Sequence, residues 1–205
     1  MIKKSLAFTL AEVLLTMTII GVVAAMTIPT LHYQRVKKEY TTKLKNFYSR
    51  MDNAILDMET DYGSFRDLRK PDNGKGYDWY MKYIDPYVGH QYVKDGNKVF
   101  YSDGSLLTTF YSGGCLDVDY DVNGLKGPNR EGYDMFRFLF CFTTDNRKSW
   151  FGNDDIFFGS YGSGSVAAGA SRDGMISKCQ ENAMWCTRLL QNDQWEFKSD
   201  YPYKF

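Results

Sequence analysis

Histidine is nearly absent: His32 and His90 are the two in 205 residues, which starves His-centred catalytic and zinc constellations before geometry is considered. Charge of one sign is missing too. Lys plus Arg and Asp plus Glu each count 25, so no net field favours nucleic acid, which enters as a partner only if the chain serves DNA uptake. No CxxC spacing occurs among the four cysteines, and neither histidine stands at ligand spacing from one, so a zinc site is excluded. The glycine-rich run over 159–169 lacks the Lys that follows a phosphate-cradling loop and reads as a loop. His90 has no flanking nucleophile, and no internal repeat emerges. These absences exclude a repeat protein and argue against an enzyme; no catalytic residue is assigned and no cofactor is expected, calcium being the one candidate.

What is abundant is aromatic. Tyr 16, Phe 14 and Trp 4 supply a packed core and exclude wholesale disorder. Tyr77, Trp79 and Tyr80 read as core residues, with a sugar- or protein-contact role as the alternative.

The start of the chain carries most of the information. Between residues 8 and 31 Glu12 is the one charged residue, and about 20 apolar helical residues span a bilayer core of roughly 30 Å. A cleavable signal peptide ending near Ala25 fits the basic leader and the small residues. Against it stand a carboxylate inside the apolar run and a helical pattern that continues beyond the run. Val36, Tyr40, Leu44, Phe47, Met51, Ile55, Met58 and Tyr62 recur at spacings of three and four, an amphipathic stripe with Lys37, Lys38, Lys43, Lys45, Arg50, Asp52 and Asp57 between them. The spacing predicts one helix over about residues 8–60, roughly 80 Å long, stopping at Gly63-Ser64.

A short basic leader, a small residue and then F-T-L-A-E-V-L-L-T-M-T-I-I-G-V-V-A-A at the head of a long helix resembles a type IV pilin or type II secretion pseudopilin precursor. The resemblance implies that a prepilin peptidase cuts between Ala7, where the family usually has Gly, and Phe8, and methylates the new amine. It implies assembly through Phe8, Glu12, Gly21 and Pro29 into a filament core, with other pilin-like subunits, an inner-membrane assembly platform and membrane lipid as partners. By the same analogy the chain crosses the bacterial inner membrane once, with its C-terminal domain outside the cytoplasm. The strings D-V-N-G-L-K-G-P-N-R-E-G-Y-D-M-F and C-T-R-L-L-Q-N-D-Q-W-E-F-K-S-D-Y-P-Y also look like ones found in a subset of pseudopilin-like proteins.

A lone carboxylate in lipid calls for an opposite charge at its depth, and cleavage before Phe8 creates one on a neighbouring subunit. Glu12 would then set axial stagger, as a buried polar residue sets coiled-coil register; the alternative is that it snorkels to headgroups. Pro29 removes a helix hydrogen bond at the Ala25 carbonyl and predicts a kink, with Thr27 and Thr30 as substitute donors, or else it marks the membrane exit.

From residue 63 onward short aromatic and β-branched runs alternate with Gly, Asn, Asp and Pro. Strands are predicted over 98–101, 106–111, 135–142 and 195–198, and helices over 77–87 and 177–190. The fold class is α+β: a long N-terminal helix, membrane-spanning in its first half and amphipathic in its second, packed on an antiparallel sheet. The organisation is a leader (1–7), a transmembrane segment (8–31), an amphipathic stem (32–62) and an extracytoplasmic globular domain (63–205). Cys115, Cys141, Cys179 and Cys186 suit two disulfides in an exported domain; three connectivities exist, and Cys179 with Cys186 plus Cys115 with Cys141 is favoured. Asp119, Asp121, Asn123 and Gly124 match positions 1, 3, 5 and 6 of a calcium loop, but position 12 is Arg130, leaving Glu131 or Asp134 as substitutes and a plain acidic turn as the alternative.

The reading as a whole is a processed filament subunit. The alternatives are a monomeric adhesin or sugar-binding module tethered by an uncleaved anchor, and, last, a secreted hydrolase released after Ala25.

Overall fold

A computed structural model describes residues 9–111, 113–162 and 171–204. It opens with helix α1, Leu10–Tyr62, 53 residues long. Its start is set by a capping box: the Thr9 side chain accepts from the Glu12 backbone N–H at 3.3 Å, and the Glu12 carboxylate accepts from the Thr9 N–H at 2.8 Å. Its end is set by Gly63, whose φ of +82° suits a residue without Cβ and whose N–H bonds the Glu59 carbonyl at 3.0 Å. The helix is unbroken across Pro29. Thr27 and Thr30 bond the carbonyls of Val23 and Met26 rather than that of Ala25, the one proline frees, because a hydroxyl in a helix reaches back four residues along its own face.

The two halves of α1 live in different surroundings. Leu10, Leu14, Leu15, Met17, Ile20, Met26, Ile28 and Leu31 are all exposed, whereas Tyr40, Leu44, Phe47, Met51, Ala54, Ile55 and Met58 are buried. The buried stripe rests on a six-stranded antiparallel meander in sequence order: β1 Tyr92–Lys94, β2 Lys98–Phe100, β3 Leu106–Tyr111, β4 Cys115–Asp121, β5 Met135–Cys141 and β6 Phe158–Ser160. Leu116, Val118 and Tyr120 of β4 and Phe136, Phe138 and Phe140 of β5, alternate residues on one face, are each at most 0% exposed and belong to the core that holds the stem. Phe47 stacks on Tyr120 at 4.0 Å and leans on Phe138 at 5.0 Å. Fold class and sheet type are thus as expected: α+β, long helix against an antiparallel sheet.

Smaller elements differ from expectation in instructive places. The helix predicted over 77–87 is two, α2 Gly76–Tyr83 and α3 Asp85–Val88, because Pro86 is accommodated in the first turn of a new helix. The helix predicted over 177–190 starts earlier, as α5 Arg172–Glu181, and breaks at Asn182. That side chain accepts from the Met184 N–H at 3.1 Å and begins a 3₁₀ turn, Ala183–Trp185, before α6 Cys186–Asn192. The strand predicted over 195–198 is absent: Gln194 and Trp195 take φ of +58° and +68°, and Trp195 and Phe197 are buried in the core from irregular backbone. Helix α4, Thr144–Phe151, follows β5 and packs on the far side of the sheet.

Candidate functional site

Two regions stand out: the exposed half of α1, and the loop between β4 and β5 that closes over the stem just beyond the end of that half. In the first, Glu12 spends its carboxylate on Thr9, accepting from both its N–H and its hydroxyl at 2.8 Å. A Cβ added at Gly21 would meet nothing within 4 Å, so no contact within this chain requires glycine there. Pro29 lies inside the helix. Ala7 and Phe8, the expected processing pair, lie outside the described residues.

The second region contains the candidate calcium residues, and the structure brings Asp121 and Asn123 together with Asp134 but sets Asp119 apart. Asp119 sits mid-strand opposite Arg137, whose guanidinium grips both its oxygens at 2.6 and 2.9 Å. Asp121 ends the strand and accepts the Asn123 N–H at 3.1 Å. The Asn123 amide donates to the Tyr40 hydroxyl at 2.8 Å and to Asp134 at 3.2 Å, while Asp134, fully buried, also accepts the N–H groups of Asn129 and Arg130 at 2.9 and 2.8 Å. The carboxylate a metal loop would aim at an ion therefore serves the turn's own backbone. Among the described residues no three His, Cys, Asp or Glu side chains stand together as a metal site. The loop is a latch: Asn123 ties it to Tyr40, and Lys43 of the stem donates to the Val122 carbonyl at 2.8 Å.

Sequence reasoning missed the polar cluster behind the latch. Arg137 also reaches Glu131 at 3.3 Å, giving the face one guanidinium among Asp117, Asp119 and Glu131. Burial pushes the Asp117 carboxyl up to about 6 against the pull of Arg137, burial and the nearby Asp119 charge push Glu131 up to about 7, and burial pushes Asp121 up to about 7. The signal was the alternation D-V-D-Y-D facing M-F-R-F, legible as a charged back face once β4 is a strand. A raised carboxyl binds its proton more tightly folded than unfolded, so its contribution to stability is present below about pH 4 and is lost as pH rises through about 7. Asp121→Asn, which keeps the acceptor for Asn123, is expected to flatten this fall by on the order of 1 kcal/mol after discounting for solvent screening. Urea midpoints at several pH values between these limits check it; identical slopes for variant and parent would rule it out.

The cysteines pair as Cys115–Cys141, directly across β4 and β5, and Cys179–Cys186, joining α5 to α6 over the break at Asn182. Trp79 and Tyr80 are 5% and 0% exposed, in the core rather than on a sugar-binding surface.

No curated protein and no solved structure matches the chain. A family model matches residues 30–205, the stem and the whole globular domain, beginning at the end of the exposed apolar half of α1. On that match the chain belongs to DUF6613, a family of unknown function.

Proposed function

We propose that this protein is a pilin-like subunit, a pseudopilin or minor pilin of a type II secretion or type IV pilus filament, processed by a prepilin peptidase and assembled through its N-terminal helix. One observation carries the reading: α1 is a single rod whose first half is apolar and unpartnered, with a lone carboxylate in its first turn, while its second half is the floor of the globular core. Such a half-helix passes for a membrane span by length and composition, with mean hydropathy 2.0 and none of it buried. Bundling against copies in a filament satisfies the same surface. Two disulfides favour a domain outside the cytoplasm, so the subunit waits in the inner membrane with that domain outward, and its work is mechanical rather than catalytic. Partners on this reading are the peptidase, other pilin-like subunits and the inner-membrane assembly platform.

The discriminating variant is Glu12→Gln. Glutamine preserves the capping box, which alanine would destroy, and removes only the charge that an amine at Phe8 of a neighbouring subunit would meet. Membrane insertion is expected to persist while co-purification with tagged wild-type subunits falls about tenfold or more, the size of one lost desolvated ion pair. Intact-mass and N-terminal sequencing of protein from cells with their own prepilin peptidase should find a chain beginning at methylated Phe8. An uncut chain together with undiminished association of Glu12→Gln would sink the proposal and leave a monomeric tethered module.

A further inference from the structure

Where α1 leaves its apolar half, a groove of about 530 Å³ opens between the helix and the globular domain, lined by Pro29, His32, Tyr33, Arg130, Tyr133 and Lys204 among others. Its depth follows from the helix: residues 10–31 rise about 32 Å at 1.5 Å each, the thickness of the hydrocarbon core, so the next turn stands among lipid headgroups. The lining suits that layer. Tyr33 and Tyr133 are half-buried rings with polar tips, and Arg130 and Lys204 are exposed cations that form no ion pair among the described residues. Both cations come from the globular domain, which overhangs the helix at this point. Arg130 is also held in place: its backbone N–H donates to buried Asp134 at 2.8 Å, and its guanidinium lies over the Tyr133 ring, 4.3 Å from the centroid. Tyr133 in turn rests on Tyr203 at 4.7 Å.

From this we infer that the groove is a binding site for the headgroup of an anionic phospholipid, with the phosphodiester between Arg130 and Lys204 and the acyl chains running along the exposed apolar residues of α1. A volume within the range of small-ligand sites admits a glycerophosphate headgroup. Two cations at this depth, Arg130 held by its contacts and Lys204 beside it in the lining, select a net negative headgroup over a zwitterionic one, whose own ammonium would be placed beside them. The inference rests on the membrane-spanning reading of α1 but not on filament assembly, and it assigns the loop between β4 and β5 a purpose beyond latching: it presents Arg130 to the bilayer.

The test uses the full chain in nanodiscs of equal phosphatidylcholine and phosphatidylglycerol, released into a mass spectrometer so that retained lipids are counted by mass. Wild type is expected to retain phosphatidylglycerol about tenfold over phosphatidylcholine, at the level that two lysine or arginine contacts with an anionic surface provide. The double variant Arg130→Gln, Lys204→Gln should equalise the two lipids; Arg130→Lys with Lys204→Arg should restore the preference. Arg35→Gln with Lys38→Gln, on the helix outside this groove, should leave it unchanged. Equal retention by wild type overturns the site, as does a preference that survives Arg130→Gln, Lys204→Gln. A chain that fails to partition into the disc overturns the membrane reading itself, which lipid counting in a successfully loaded disc cannot do.

Discussion

Phe47→Ala is expected to destabilise the full-length protein by about 3–5 kcal/mol, the usual cost of emptying a phenylalanine site in a core that cannot collapse. Phe47 is 0% exposed at the centre of the stem's buried stripe. It stacks on Tyr120 of β4 with rings 14° from parallel and meets Phe138 of β5 and Phe158 of β6 at 5.0 and 6.2 Å, so one side chain on α1 touches three strands. Rigid sheet lies on one side and rigid helix on the other, so relaxation into the cavity is poor. The aromatic pairing adds about 0.5–1.5 kcal/mol beyond buried area. Phe47→Leu, which keeps most of the volume, should cost only about 1–2 kcal/mol. Urea unfolding of the detergent-solubilised chain, followed by near-ultraviolet circular dichroism, reads both. A loss for Phe47→Ala below about 1 kcal/mol would mean that the sheet folds without the stem and that α1 is only tethered to it.

The second large effect concerns the disulfides, and here the ordering is the test. In the chain-entropy account a cross-link constrains the unfolded state more the longer the loop it closes. Cys115 and Cys141 are 26 residues apart and Cys179 and Cys186 are 7 apart. Replacing Cys115 and Cys141 with serine is therefore expected to cost about 3–4 kcal/mol, and replacing Cys179 and Cys186 about 2–3 kcal/mol. Both pairs are packed, Cys115 and Cys141 with Leu139 and Phe151 behind the sheet and Cys179 and Cys186 in the main core, so serine adds a packing loss at each and loop length sets the order. The two sites lie in different elements, and their costs should add within about 0.5 kcal/mol. The reverse order in paired urea titrations would show that the α5–α6 break at Asn182, rather than loop length, governs how much each bridge contributes.

Legibility followed the periodicity of each segment. The stem was readable because Tyr40, Leu44, Phe47, Met51, Ile55 and Met58 recur at helical spacing with charged residues between, and the structure buries all six. Strand β3 was readable because its aromatic and β-branched run follows a D-G turn; it spans Leu106–Tyr111 as expected. Strand β4 was not. Its acidic half drew attention as a metal loop, while its apolar half, Leu116, Val118 and Tyr120, alternates with those acids at period 2 and is what folds. The run at Trp195 failed in the opposite sense. Alternation there is real, and Trp195 and Phe197 are buried, but Gln194 and Trp195 take φ of +58° and +68°, outside the extended region a strand needs.

By itself the sequence determined the α+β class, the long two-character helix and its stop at Gly63, since each depends on residues within a few turns of one another; the start was placed two residues early because the Thr9–Glu12 capping box was missed. Only the tertiary structure decided that Asp134 and Asn123 latch a turn to Tyr40. It likewise decided that Arg137 gathers Asp119 and Glu131 on the back face, and that Arg130 and Lys204 meet the helix where it leaves its apolar half. Those outcomes turn on strand register and on loops returning across the stem, contacts between residues far apart in the chain. Each polar side chain takes whichever partner the register puts within reach, because burial makes an unpaired one costly.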